Sequence, residues 1–184
     1  MDKQRNFYKD TYHHLYNRGA NKAIIFHESD NYLYFLERLR FYSERYHIKV
    51  LCYCLMSNHF HLFIKQMTDD HLISDFISAL LNSYVKSFNK KYERSGTLFE
   101  SKTKSKIIEE ESYFKWVIKY ILENPVKANL VKTIADWDYS NAKDLLGIRK
   151  GSLTDTRYVD SFFQSRENLI DFLTDEKLVV GYDF

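Results

Sequence analysis

The chain has 184 residues, of which 45% are hydrophobic and 17% aromatic. A chain of that length buries a core without disulfides or structural zinc, and its apolar content excludes global disorder. The net charge of +2 is too small to argue for a nucleic-acid partner by itself, so any such case rests on local clusters of Lys and Arg.

Cys52 and Cys54 are the only cysteines. At i and i+2 of one strand they line up on one face and do not bridge, as expected of two small buried residues in a reducing compartment. Met1-Asp2-Lys3-Gln4-Arg5-Asn6 leads into no apolar signal region, and no apolar run approaches membrane-spanning length. A cytoplasmic protein with no membrane partner is the expectation.

In chain order, Tyr12 to Asn17 reads as a short strand broken by the turn Arg18-Gly19-Ala20-Asn21. His13 and His14 face opposite sides of it, which argues against both joining one site; each reads as structural or substrate-facing. Ser29 or Asp30 caps a helix that runs to about Tyr46, with Leu33, Leu36, Leu39 and Phe41 among its apolar positions. Val50 to Met56 is a nearly continuous apolar run, short enough for a strand buried on both faces. Ser57-Asn58 then turns the chain into a hairpin.

The returning strand is His59-Phe60-His61-Leu62-Phe63-Ile64-Lys65. Alternation puts His59 and His61 on one side and Phe60, Leu62 and Ile64 on the other. Residues two apart on a strand lie roughly 6.5 to 7 Å apart, a gap two imidazoles close by leaning toward one ion. Two part-buried histidines bonded to backbone fit the pattern as well, so a third ligand and a reactive group are needed.

A second helix is expected from Asp69 or Asp70 to about Tyr92, with Leu72, Phe76, Leu80, Tyr84 and Phe88 at four-residue spacing. From Phe99 to Ile108 the alternation of Lys102, Lys104 and Lys106 with Ser and Thr predicts a strand with a lysine row. Between Lys86 and Lys106 seven cationic residues, Lys86, Lys90, Lys91, Arg94, Lys102, Lys104 and Lys106, stand against Glu93 and Glu100, a net +5. Such a row binds phosphates or protects a sheet edge; both readings stand.

Ser112 caps a helix predicted from Tyr113 to Glu123 or Asn124, ending before Pro125, the only proline. Trp116, Tyr120 and Asn124 are spaced by four and share one face. Alone, Tyr120 is one of fifteen tyrosines. Beside the histidines, Tyr120 and Asn124 supply a nucleophile and an oxygen ligand. After Val131 the pattern weakens, returning as a short helical stretch from about Ser165 to Leu173.

With Met56-Ser57-Asn58-His59-Phe60-His61-Leu62 followed by Tyr120-Ile121-Leu122-Glu123-Asn124-Pro125-Val126-Lys127-Ala128, the chain resembles the HUH single-tyrosine transposases. The branch it resembles is the REP-associated tyrosine transposases. The resemblance runs from Thr11 to Asn141 and takes in Asn17-Arg18-Gly19 and Trp137-Asp138-Tyr139-Ser140. It implies a ferredoxin-like α+β domain, an antiparallel sheet with helices packed on one face, here placed over residues 1–133; the weakened pattern beyond it makes residues 134–184 an extension layered on that domain.

By the same resemblance His59 and His61 are the metal-binding pair, Asn124 the third, neutral ligand, and Tyr120 the nucleophile. Mg²⁺ or Mn²⁺ is the implied cofactor, although an imidazole pair also suits Zn²⁺. The implied activity is nicking and joining of single-stranded or hairpin DNA through a 5′-phosphotyrosine, by a monomer or homodimer. Lys86, Lys90, Lys91, Arg94, Lys102, Lys104 and Lys106 would grip the DNA. Two rivals are a non-catalytic nucleic-acid-binding module and a metal hydrolase that uses bound water.

Overall fold

The computed structural model describes residues 8–69 and 72–175, so the expected N-terminal lead and the last part of the C-terminal extension lie outside the described residues. Four strands, β1 (Tyr12–Arg18), β2 (Ile48–Met56), β3 (His59–Gln66) and β4 (Lys104–Ile107), form one antiparallel sheet in the order β2-β3-β1-β4. α1 (Ser29–Arg45) joins β1 to β2, α2 (Ile73–Lys91) joins β3 to β4, and α3 (Glu111–Lys127) follows β4. This is the ferredoxin-like α+β arrangement. Three short helices come after it: α4 (Ala142–Leu145), α5 (Thr156–Ser161) and α6 (Arg166–Thr174). Among the described residues no helix is long and apolar enough to cross a membrane.

Strand alternation divides the core in two. Leu15, Phe60, Leu62 and Ile64 pack against the buried stripes of α1 (Tyr32, Phe35, Leu39) and α2 (Phe76, Leu80, Tyr84, Phe88). Cys52, Cys54, Met56 and Phe63 pack instead with Val117, Ile118, Ile121 and Leu122 of α3 and with Leu145, Val159 and Leu169 beyond it. Helices on one face are expected, and α1 and α2 provide them. α3 and the C-terminal helices add a layer on the other face, because β2 is apolar on both sides and a bare second face would leave Phe63 of β3 and the two cysteines in water.

Several boundaries differ from expectation for identifiable reasons. The cap of α1 is Glu28, which forms a reciprocal capping box with Asn31, one residue ahead of Ser29. Leu33 and Phe41, expected on its apolar face, are exposed. α2 begins at Ile73, later than Asp69, because the Ile73 N–H is taken by the Gln66 side chain from β3, at 3.3 Å; Asp70 lies outside the described residues. The predicted strand from Phe99 shortens to Lys104–Ile107. Ahead of it the Asn17 amide donates to the Ser101 carbonyl at 2.9 Å and to Thr103 Oγ1 at 3.3 Å, holding residues 101–103 off the ladder.

The outer edge of β2 is closed by the segment Trp137 to Asn141. Leu55 N–H donates to the Tyr139 carbonyl at 2.9 Å. The Asn141 side chain accepts from Tyr53 N–H at 3.0 Å and donates to the Leu51 carbonyl at 3.1 Å. An amide that both accepts and donates mimics a neighbouring strand, which removes the edge from aggregation.

His13 is buried in the α1–α2 face of the sheet, between Ser105 and Thr11 hydroxyls each 3.1 Å from a ring nitrogen. Burial pushes its pKa down to about 4. The unfolded chain, with an ordinary value near 6.5, therefore binds a proton that the folded chain refuses between those limits. The contribution of His13 to stability is complete above about pH 6.5 and is lost as pH falls toward 4. In His13→Gln, denaturant unfolding at pH 5 and pH 7.5 shows a smaller difference than in the parent; the part that persists includes His14, which burial pushes down to about 3, and His59 and His61, which burial also lowers.

Candidate active site

The register between β1 and its neighbours decides which side chains meet. Tyr16 lies opposite His61 on one side and Lys104 on the other; Arg18 lies opposite His59, and His14 opposite Phe63 and Lys106. Directly opposed residues in antiparallel strands share a face. His14, Tyr16, Arg18, His59, His61, Lys104 and Lys106 therefore project from the side of the sheet that carries α3.

α3 does not stop before Pro125 as the sequence predicts; it runs to Lys127 with Pro125 buried inside it. Proline removes the N–H that would reach the carbonyl four residues back, here that of Ile121. The Asn124 side chain replaces it: Nδ2 donates to the Ile121 carbonyl at 3.2 Å and to the Tyr120 carbonyl at 2.9 Å. With the amide nitrogen committed to the helix, the Oδ1 of Asn124 is the atom left to act as an acceptor.

That acceptor meets His59. The Asn124 side chain hydrogen-bonds His59 and favours its charged ring, although burial outweighs it and lowers the His59 pKa overall. His59 Nδ1 lies 2.7 Å from Asn58 Oδ1. The Asn58 amide nitrogen donates to the Lys22 carbonyl at 3.3 Å, so its oxygen faces the ring and can only accept. His59 accordingly carries a proton on Nδ1 and donates it to Asn58 Oδ1. His61 is buried, which holds its pKa well below the usual histidine range. Its Nδ1 lies 2.9 Å from His14 Nε2, which makes Nε2 its nitrogen for a ligand.

Tyr120 joins them from α3. Its ring is edge-on to those of His61 and His14, with centroids 5.8 and 6.0 Å away, and the His59 and His61 rings are 5.2 Å apart. Lys127 Nζ lies 4.9 Å from the Tyr120 ring centroid and 3.1 Å from Glu123. Trp116, on the same predicted stripe, turns instead to Phe172 of α6 at 5.0 Å. Among the described residues no three His, Cys, Asp or Glu side chains are placed to hold an ion. Two neutral imidazoles and an amide oxygen are a donor set that fits a divalent cation which keeps oxygen ligands from elsewhere.

A cleft of about 470 Å³ opens beside the histidines, walled by Tyr16, Arg18, Lys22, Lys104, His59 and His61. Arg18 is exposed at its mouth and pairs with Glu100, Nη2 to Oε1 at 3.0 Å. A larger groove of about 950 Å³ between α2 and residues 96–103 meets the cleft at Asn17, Glu100 and Ser101 but is lined by no His or Tyr, so the histidine pair opens onto the smaller one. Lys104 and Lys106 stand on the site's face of β4, and Lys102 is exposed just before it. Lys86, Lys90 and Lys91 lie on α2, across the sheet, with Arg94 just beyond it; Lys91 is 3.1 Å from both Glu28 and Asp30. Sequence reasoning missed His14, Tyr16, Arg18 and Lys127. Their only signal was parity along β1 and helical spacing past a proline.

The family model described as "Transposase IS200 like" matches residues 7–124, from just before β1 to Asn124. The chain belongs to the IS200-like transposase family. Among solved structures, this transposase is similar to a REP-associated tyrosine transposase bound to a REP hairpin, at 16% identity over 84% of this chain and 94% of that one, with a TM-score of 0.65. A transposase-like protein from Deinococcus radiodurans R1 is 17% identical over 61% of this chain and 89% of that one, with a TM-score of 0.46. No curated protein sequence matches. At such identities the first likeness is one of fold.

Asn124 carries a structural load that can be measured apart from chemistry. Asn124→Ala should lower the unfolding free energy by about 1 kcal/mol, the worth of a hydrogen bond to an otherwise unpaired carbonyl. In a Pro125→Ala background, where a backbone N–H again reaches the Ile121 carbonyl, the same substitution should cost clearly less in denaturant titrations.

Proposed function

We propose that this transposase is a metal-dependent nicking and joining enzyme for single-stranded, hairpin-associated DNA that works through a covalent 5′-phosphotyrosine on Tyr120. The observation that carries the reading is the arrival of Tyr120 and Asn124, from α3, at the histidine pair of β3. The hairpin bound to the structural neighbour supports the choice of substrate.

His59, His61 and Asn124 would hold Mg²⁺ or Mn²⁺, which when bound polarises a phosphodiester and offsets the charge that grows on its oxygens. Tyr120 attacks the scissile phosphorus. A bond forms from its phenolic oxygen to phosphorus while the bond to the 3′ oxygen breaks; the phenol's proton is released, and the 3′ oxygen takes one up. The product is a 5′-phosphotyrosine and a free 3′-OH. Attack by another 3′-OH reverses these steps, and because the phosphodiester bond energy is kept in the link, no nucleotide cofactor is consumed. A phenol with an ordinary pKa near 10 is a weak nucleophile at neutral pH. Lys127 beside the ring supplies positive charge where negative charge develops.

Arg18, Lys22 and Lys104 line the route to the histidines, and a DNA phosphate would displace Glu100 from Arg18. Lys102 and Lys106 extend this grip along β4. Lys86, Lys90, Lys91 and Arg94 form the outer part of the basic surface, met by DNA that reaches the α2 side.

Incubation with a labelled hairpin bearing a single-stranded flank and Mn²⁺ should yield a covalent protein-DNA adduct that is absent in Tyr120→Phe and His59→Ala. Cleavage without an adduct would instead mark a hydrolase, and binding without cleavage a passive module. Replacing Lys102, Lys104 and Lys106 with Ala should weaken single-strand binding and reduce the slope of log K against log salt by up to about 0.7 per lost contact. An unchanged slope would remove these lysines from the DNA surface.

A further inference from the structure

We propose that His14 is a positioning residue: its Nε2 accepts a hydrogen bond from His61 Nδ1–H and thereby keeps the Nε2 lone pair of His61 for a cation. The inference rests on the reading of His61 as a ligand and names the group that makes it one.

A single proton lies between His61 Nδ1 and His14 Nε2 at 2.9 Å, and its owner decides what His61 can do. If His14 donates, neutral His61 must carry its own proton on Nε2, and the nitrogen offered to an ion has no lone pair. If His61 donates, Nε2 is bare. Only the second arrangement gives a ligand, and it requires His14 to be the Nδ1–H tautomer.

The surroundings hold the pair in place. The two rings are inclined by 22° with centroids 5.1 Å apart, close to coplanar as an in-plane nitrogen-to-nitrogen bond requires. His14 is 0% exposed and His61 6% exposed, so neither ring can turn to water for another partner. His14 is held on β1 between Phe63 and Lys106 and touches the Tyr16 ring at 5.1 Å. His59 follows the same rule, since Asn58 Oδ1 can only accept from its Nδ1. Each candidate ligand histidine thus has its Nδ1 occupied by a neighbour, one an amide oxygen and one a second imidazole. Outer partners of this kind fix ring orientation and tautomer in metal sites.

The test uses the full chain, uniformly ¹⁵N-labelled. Long-range proton-nitrogen spectra should show His61 as Nδ1–H and His14 as Nδ1–H without any metal. In His14→Gln, whose side-chain oxygen can accept, His61 should keep its tautomer; in His14→Phe it should shift toward Nε2–H. Mn²⁺ titration followed by the free-ion paramagnetic signal should give a 10- to 100-fold weaker affinity, on the order expected for loss of such a partner, in His14→Phe and a much smaller loss in His14→Gln. Thermal melts of both variants control for folding. His61 found as Nε2–H in the parent, or Mn²⁺ bound as tightly by His14→Phe as by the parent, would overturn the proposal. A parent that binds no Mn²⁺ sinks the metal-site reading instead, and the tautomer spectra still decide the direction of the hydrogen bond.

Discussion

The pairing of β1 against β3 is the constraint on which the rest depends. Side chains alternate along a strand, so a slip of one residue would send His14, Tyr16 and Arg18 to the α1–α2 face and leave the His59 and His61 side with the wrong partners. Both ends of the pair are pinned. At one end Gln66 N–H donates to the Thr11 carbonyl at 3.0 Å, and Asp10 N–H to the Gln66 carbonyl at 2.8 Å. At the other, Gly19 N–H donates to the Asn58 carbonyl at 2.8 Å, where the backbone passes so near Ala23 that a Cβ on residue 19 would lie 2.1 Å from its carbonyl oxygen. Only glycine fits that approach. Between the pins, Leu15 and Leu62 are opposed and fully buried, so a slip would also pull the core apart.

Asn124 couples this framework to the site. Its nitrogen repairs the helix at Pro125 and its oxygen faces His59, so one amide is bound in both directions and cannot flip without losing one function. A glutamate there would have no side-chain nitrogen to reach back to Ile121. The amide at position 124 is therefore tied to the proline that follows it.

What the sequence made legible follows from local periodicity. The His59 strand, the hairpin before it and the four-residue spacing of Tyr120 and Asn124 all read correctly because period two and helical spacing are local properties. Which strand lies beside β3 is not local, and so His14, Tyr16 and Arg18 stayed unassigned even though parity placed His13 and His14 on opposite sides. Pro125 was read as a terminator because its usual cost is large; the side chain that offsets it became visible only as a hydrogen bond. The lysine row misled in its first half, since Asn17 draws residues 101–103 away from the ladder. Charge counting along the chain also merged α2 with β4, which the fold sets on opposite layers.

The spacings of the two motifs are commensurate, and that explains why they occur together. Along the second face, Phe114 meets Phe63 at 5.4 Å between centroids, Tyr120 meets His61 at 5.8 Å, and Asn124 reaches His59. The numbers rise along α3 as they fall along β3, so the helix lies antiparallel to the strand. Four residues of helix advance about 6 Å and two residues of strand about 6.6 Å. A Tyr and an Asn four apart on a helix thus stand over a His-x-His pair almost in step. From Phe114 to Asn124 the helix covers about 15 Å, and from Phe63 to His59 the strand covers about 13 Å, so the match survives the whole contact. Apolar residues seal one end of that seam, and the polar groups gather at the other, beside the cleft. The polar cluster begins where the aromatic packing of Phe114 and Phe63 runs out.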